Sequence, residues 1–196
     1  LDALPRLMFL GFLSMALYQC LSYWAADTSS ATNMAIITAL TPLLTLVASA
    51  LILREAASGG IVAGGLIALC GTVWLISGGK PLQLLHGGLH MGDLLMLGAA
   101  ASYACYSVLL KRWHIDLPTW QSTYVQAWFA LLFMLPVFFW LPAQQARLNA
   151  TTLPLILYAG MLASVLLPFL WMKGVEQLGP TYCSMYMYLL PLLTAG

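Results

Sequence analysis

Polar side chains inside long apolar stretches are the residues of this sequence most able to bind a solute, because each buried polar group needs a hydrogen-bond partner. The candidates for a substrate pathway are Asn33, Thr38, Tyr103, Tyr106, Gln126, Tyr182 and Tyr186. A tyrosine ring with its hydroxyl can hold an apolar or aromatic molecule and orient it. Such tyrosines can equally be satisfied core residues, and a threonine can bond its own helix carbonyl. Gln126, near the middle of its stretch, is the clearest candidate.

Catalytic and metal-binding patterns are missing from the apolar stretches. The histidines His86, His90 and His114 all lie between these stretches, and no stretch pairs a serine with a histidine or holds two aspartates. No Gly-x-x-x-x-Gly-Lys phosphate loop is present. The four cysteines lie in separate stretches without a Cys-x-x-Cys pair and are expected to be buried apolar residues. The sequence therefore predicts no enzyme activity, no bound metal and no cofactor.

The composition is that of a membrane protein. Of the 196 residues, 62% are hydrophobic and 7% charged, with a mean hydropathy of +0.90. A soluble domain carries about 25% charged residues, so a soluble enzyme is excluded. The net charge of +1 gives no basic surface for nucleic acid. The composition therefore predicts the lipid bilayer as a partner. The polar candidates named first predict a small-molecule substrate as the other partner.

Uncharged runs divide the chain into membrane-spanning helices. About 20 apolar residues span the hydrocarbon core of a bilayer, and seven runs are near or above that length. The sequence predicts an all-α, polytopic helical bundle with spans at 7–26, 31–53, 58–78, 93–110, 118–141, 153–172 and 179–196.

Basic residues are distributed unequally between alternate connections. One side has Arg6, Arg54, Lys111, Arg112 and Lys173, and the other has Lys80 and Arg147. The positive-inside rule places the first side in the cytoplasm. Six of the seven tryptophans lie near predicted span ends, as expected of residues at the lipid headgroups. Trp128 is the exception, and its expected role is packing or lipid contact.

An internal repeat relates the second span to the seventh. At an offset of 149 residues, positions 40–45 (Leu-Thr-Pro-Leu-Leu-Thr) match positions 189–194 (Leu-Leu-Pro-Leu-Leu-Thr) at five of six places. The copies lie five crossings apart, so they must point in opposite directions. Inverted repeats of this kind are typical of secondary transporters, whose substrate site lies between the repeats. Pro42 and Pro191 lie inside these helices and are expected to kink them.

Units of five helices follow from this offset. Residues 1–79 are then the last three helices of a first unit, 80–92 a connecting loop, and 93–196 the first four helices of a second unit. Two helices before residue 1 and one after residue 196 would complete a ten-helix protein. The acidic residues lie near span ends, so a coupling group is expected in the missing helices, or the protein is a uniporter.

Several stretches resemble the EamA-type branch of the drug/metabolite transporter superfamily. Residues 28–45 and the pair Arg54-Glu55 resemble the family's fourth helix and its end, although the family commonly has glycine where Arg54 stands. Residues 92–95, 102–107 and 111–112 resemble the start of the second unit, and 179–192 the ninth helix. The resemblance implies export or exchange of small metabolites, such as amino acids, across the inner membrane of a bacterial cell.

The preferred hypothesis is a secondary transporter that exports or exchanges amino acids or similar compounds by alternating access. A multidrug or other solute permease of the same superfamily and a seven-helix membrane receptor are the alternatives. A retinal protein is disfavoured because all three lysines lie outside the predicted spans. A homodimer stays open, and the small residues Gly60, Gly64, Ala68 and Gly71 predict a helix-packing surface on the third span.

Overall fold

The computed structural model describes residues 3–55, 58–80, 90–140 and 153–189. Within these ranges the chain forms seven helices and no strand, which confirms the all-α class. We label the helices in chain order as α1 Ala3–Thr28, α2 Ala31–Ile52, α3 Gly59–Ile76, α4 Met91–Trp113, α5 Thr119–Trp140, α6 153–178 and α7 180–188.

The helices correspond closely to the predicted spans. Five of them, α1 to α5, are long and apolar enough to cross a membrane. Helix α6 continues six residues beyond the predicted end at 172, because a charged residue such as Lys173 marks the edge of an apolar run and need not end a helix. Helix α7 begins where the seventh span was predicted, and positions 190–196 lie outside the described residues.

Local sequence signals set the helix ends. The Ser30 hydroxyl accepts the Asn33 amide at 3.1 Å at the start of α2, and Ser58 caps α3 in the same way. Arg54, in the turn after α2, has φ +58°, a backbone conformation that favours glycine. Gly179, with φ +85°, allows the chain to turn from α6 into α7.

Irregular backbone turns recur at the repeat offset of 149 residues. Helix α1 contains a π-helical segment, Phe12–Leu17, and its counterpart positions 161–166 lie in the π-helical segment Ala159–Leu166 of α6. Helix α2 is interrupted at Leu40, whose amide bonds the Ile37 carbonyl. At the same offset, Leu189 corresponds to Leu40 and Tyr186 to Ile37, and the Leu189 amide bonds the Tyr186 carbonyl. The repeat therefore extends beyond the six matched positions to the backbone itself.

Proline chemistry accounts for the interruption in α2. A proline has no amide hydrogen, so Pro42 cannot donate to the Thr38 carbonyl as a regular helix requires. The chain tightens into a turn at Leu40 and resumes as a helix from Thr41. Pro191, the other expected kink, lies outside the described residues.

The repeated helices run in opposite directions. The Thr181 hydroxyl near the start of α7 lies 3.2 Å from the Ser49 hydroxyl near the end of α2. Further along, a Cβ atom at Gly65 would contact both Leu43 of α2 and Met185 of α7. Position 181 thus lies beside 49 and position 185 near 43, which is an antiparallel pairing.

The best-packed core joins α1, α4, α6 and α7. It contains Leu10, Leu13, Tyr106, Leu110, Met172, Val175 and Cys183. Two glycines allow the backbones of neighbouring helices to come close. A Cβ atom at Gly11 would lie 2.6 Å from the backbone carbonyl oxygen of Gln126, and a Cβ atom at Gly92 would lie 2.5 Å from the backbone carbonyl oxygen of Ala25. Helix α4 is the most buried of the five long helices and forms the centre of the bundle.

The predicted packing surface on α3 differs from the observed one. Among the described residues, no heavy atom lies within 4 Å of the Cβ positions of Gly60, Gly64 and Gly71. The close approach is made by Gly65, whose Cβ position lies 3.0 Å from the Leu43 side chain. The spacing of the small residues predicted which of them share a face of α3, but it did not specify which face of α3 packs against α2.

Candidate functional site

The residues predicted for a substrate pathway lie in three different parts of the bundle. Tyr103, Tyr106 and Gln126 belong to the packed core, whereas Asn33 lies at the helix ends beside Asp93. Tyr182 lines a cleft between α3 and α7. The structure therefore does not bring the predicted residues into one site, and each place is described separately below.

Four aromatic rings form a cluster in the core. The Tyr103 ring centroid lies 5.3 Å from that of Tyr18, 5.7 Å from that of Tyr106 and 5.4 Å from that of Trp171. These tilted pairs have the spacing that favours aromatic interaction. The indole nitrogen of Trp171 is buried and has no hydrogen-bond partner within the described residues. The cluster is well packed and leaves one donor available.

Gln126 is completely buried near the same core. Its amide nitrogen lies 3.6 Å from the Met172 sulfur, which is a weak acceptor. Its side-chain amide oxygen, Oε1, has no partner among the residues that the structure describes. A buried amide oxygen without a partner is costly, so Gln126 has one unsatisfied polar atom in the described part of the bundle. Trp128, two positions further, is half exposed, in agreement with its expected role in packing or lipid contact.

Asn33 takes part in a polar cluster at the end of the bundle where α2 and α4 begin. Its side-chain nitrogen lies 3.3 Å from both carboxylate oxygens of Asp93. The Ser29 hydroxyl and the His90 backbone amide also donate to this carboxylate, the latter at 2.9 Å. Asp93 is only 5% exposed. This buried carboxylate was not singled out from the sequence, because the side chains that bury it, Ser29 and Asn33, lie 64 and 60 positions away along the chain.

Thr38 has a local hydrogen bond. Its hydroxyl donates to the Met34 carbonyl at 2.8 Å, one turn earlier in α2. Thr45 does the same toward the Thr41 carbonyl at 2.9 Å. Both hydroxyls are therefore satisfied within their own helix, which is the second of the two roles that the sequence allowed.

Two cavities follow one another along the cleft between α3 and α7. The first has a volume of 320 Å³ and is lined by Ser49, Glu55, Lys111, Thr181 and apolar residues. The second is a groove of 510 Å³ with mostly apolar walls. Ile61 and Tyr182 line both, so the groove continues from the first cavity.

The groove contains two buried hydroxyl groups. The Tyr188 hydroxyl is buried and has no hydrogen-bond partner within the described residues, and Thr72 is 6% exposed. Tyr182 is 57% exposed where the two cavities meet. Tyr186, another predicted pathway residue, is 60% exposed and does not line either cavity. Tyr188 was missed because aromatic residues in apolar helices usually only pack.

Basic residues gather at one end of the bundle, which we call the basic end. The Lys111 ammonium bonds both carboxylate oxygens of Glu55 at 2.7 and 2.8 Å. The Arg112 guanidinium donates to the Ile52 carbonyl at 2.9 Å. Arg54 and Lys173 lie at the same end. The ion pair could not be predicted, since 56 positions separate its members.

Metal ligands do not cluster in the described part of the chain. No group of three His, Cys, Asp or Glu side chains there could hold a metal ion. The cleft instead offers an ion pair, hydroxyl groups and apolar walls, which suit a small organic solute.

Comparisons with known proteins give one family and one relative. A family model described as "EamA-like transporter family" matches residues 1–77 and 90–196. Over 187 residues the chain is 25% identical to "Uncharacterized transporter YyaM" of Bacillus subtilis (strain 168), covering 94% of the chain and 61% of the relative. The chain thus spans about three fifths of the length of this relative. No solved structure matches the chain significantly.

Proposed function

The chain belongs to the EamA-like transporter family, and from this membership we propose that it is part of a secondary transporter for small metabolites. The proposed substrates are amino acids or similar compounds, moved across the bacterial inner membrane by alternating access. The apolar helices α1 to α5 support a multi-pass membrane protein.

One observation carries the proposal. The π-helical turns and the tight turns that end at Leu40 and Leu189 recur at a fixed offset in helices that run in opposite directions. Two copies of one element in opposite orientations can exchange conformations, so that the side that is open becomes closed and the reverse. A receptor does not need to open in turn to each side of the membrane, so such an exchange of conformations would serve no evident purpose there. Transport is therefore favoured over the receptor alternative.

The two-unit organisation is part of this proposal. Residues 1–79 and 93–196 would belong to successive units joined by 80–92, in a protein of ten helices. The family match in two stretches, 1–77 and 90–196, supports this division. Pro42 and Pro191 would provide the kinks around which each repeated helix bends.

Among the proposed pathway residues, Gln126 has the strongest support because its buried carbonyl oxygen lacks a partner in the described structure. Tyr103 and Tyr106 would form the aromatic wall near it, and Tyr182 would lie in the cleft. Asn33 would act at the opposite end, beside Asp93. The satisfied hydroxyl of Thr38 and the exposed position of Tyr186 give these two residues the least support.

Counterflow in proteoliposomes containing the full-length protein tests the proposal. Vesicles loaded with unlabelled leucine, phenylalanine or threonine should accumulate the labelled amino acid transiently, and protein-free vesicles should not. Uptake of drugs or sugars without any amino acid exchange would favour the other permease alternative. The absence of exchange for every solute, together with saturable ligand binding, would favour the receptor.

A further inference from the structure

We propose that the 320 Å³ cavity at the basic end recognises the substrate as a zwitterion. In this site, Lys111 would bind the carboxylate of an amino acid and Glu55 its ammonium group, while the side chain would lie against the apolar walls. The inference rests on the proposed function and specifies where and how an amino acid is first bound.

The ion pair is placed so that it can open. Lys111 and Glu55 both line the cavity, and their side chains are 38% and 54% exposed. Exposed ion pairs of this kind are weak. A solute that offers each partner a new opposite charge can therefore separate them.

The charges of the site favour a zwitterion over a simple ion. A zwitterion inserted between Lys111 and Glu55 leaves both partners paired and the net charge unchanged. A carboxylate alone would leave Glu55 without its partner, and an amine alone would leave Lys111 without its own. A single-charge analogue makes one charge-assisted contact where the zwitterion makes two, so each analogue should bind more weakly.

The remaining lining suits the rest of an amino acid. The volume is at the small end of about 300–1,000 Å³ typical of ligand pockets, which favours a single residue over a peptide. Leu46, Ile61, Leu178 and Pro180 provide an apolar wall. The Ser49 and Thr181 hydroxyls, 3.2 Å apart, lie at the contact between the repeated helices α2 and α7. A ligand here would touch both repeats at once, and Tyr182 would lead it toward the groove.

Competition binding tests the site in the full-length protein. Radiolabelled leucine would be displaced by 4-methylpentanoate, which lacks the amine, or by 3-methylbutylamine, which lacks the carboxylate. In the unchanged protein, each analogue should bind at least tenfold more weakly than leucine. Lys111→Gln should weaken leucine at least tenfold and should not weaken 3-methylbutylamine, which no longer competes with Lys111 for Glu55. Glu55→Gln should weaken leucine similarly and should not weaken 4-methylpentanoate, which no longer competes with Glu55 for Lys111.

Control variants separate recognition from stability. Lys173→Gln removes a charge at the same end but outside the cavity and should leave leucine affinity unchanged. The double variant Glu55→Lys/Lys111→Glu reverses the ion pair and should keep the thermal stability of the unchanged protein but not its leucine affinity, because the reversed ligand would point its side chain away from the apolar wall. Full leucine affinity in this variant would mean that the pair is only structural.

The two proposals fail differently. If no amino acid is exchanged in counterflow and none binds, the proposed substrate class is wrong and this site falls with it. The other outcome is that leucine is exchanged while Lys111→Gln and Glu55→Gln change neither the affinity for leucine nor the relative affinities of the two analogues. In that case the transporter proposal stands and only the zwitterion site is wrong.

Discussion

Replacing Gly11 by alanine should separate α1 from α5 and destabilise the protein. The new Cβ atom would lie 2.6 Å from the Gln126 carbonyl oxygen and 3.1 Å from the Gln126 Cα atom. A relaxed carbon-to-oxygen contact is about 3.3–3.6 Å, so the backbones must move apart by roughly 0.7 Å or more. The atoms in the way belong to backbone, which cannot rotate aside as a side chain can.

The expected magnitude follows from two opposing effects. Overpacking in a well-packed region costs about 1–3 kcal/mol. Alanine instead of glycine in a helix gains about 0.8–1 kcal/mol. The net loss for Gly11→Ala should therefore be about 1–2 kcal/mol, since the rigid obstacle favours the upper part of the overpacking range.

Gly160 provides a matched control, because it is the equivalent of Gly11 at the repeat offset of 149 residues. No heavy atom of the described residues lies within 4 Å of its Cβ position. Gly160→Ala should be neutral or stabilising, and the difference between the two variants should equal the overpacking cost, about 1–3 kcal/mol. Unfolding of the full-length protein in micelles measures both. Equal free energies of unfolding for the two variants would refute the reasoning.

Four further variants and one control test other features of the structure. Gln126→Leu should lower the rate of substrate exchange severalfold without loss of membrane insertion. Trp128→Leu, on the exposed face of the same helix, is the control and should leave the exchange rate unchanged. Equal exchange rates for the two variants would remove Gln126 from the pathway. Pro42→Ala should allow a continuous α2 and slow exchange without unfolding, and unchanged spin-label distances across the turn would contradict this. Asp93→Ala should lower the free energy of unfolding by about 1–3 kcal/mol, because it removes a helix cap and leaves its donors unpaired; an unchanged melting temperature would count against the polar cluster. Arg54→Gly should raise stability by about 1 kcal/mol by relieving the left-handed backbone, and a lower melting temperature would oppose this.

The course of the helices could be read from the sequence, because membrane spans are defined by the absence of charge. The predicted span 31–53 is observed as Ala31–Ile52, and 118–141 as Thr119–Trp140. The tertiary partners could not be read in this way. The contact of Gln126 with Met172 depends on how α5 and α6 rotate, and no periodicity specifies that rotation. The sequence also placed Asp93 correctly near the end of a predicted span. It did not indicate that Ser29 and Asn33 bury this carboxylate.

The matching turns at Leu40 in α2 and at Leu189 after α7 imply that this backbone pattern carries no information about the direction in which it enters a membrane. The same turn before a proline is found in helices of opposite sense, so neither sense is intrinsic to it. The topology must then be decided by the few positive charges at the helix ends. A handful of lysine and arginine exchanges between the two faces should suffice to invert the whole molecule in its membrane.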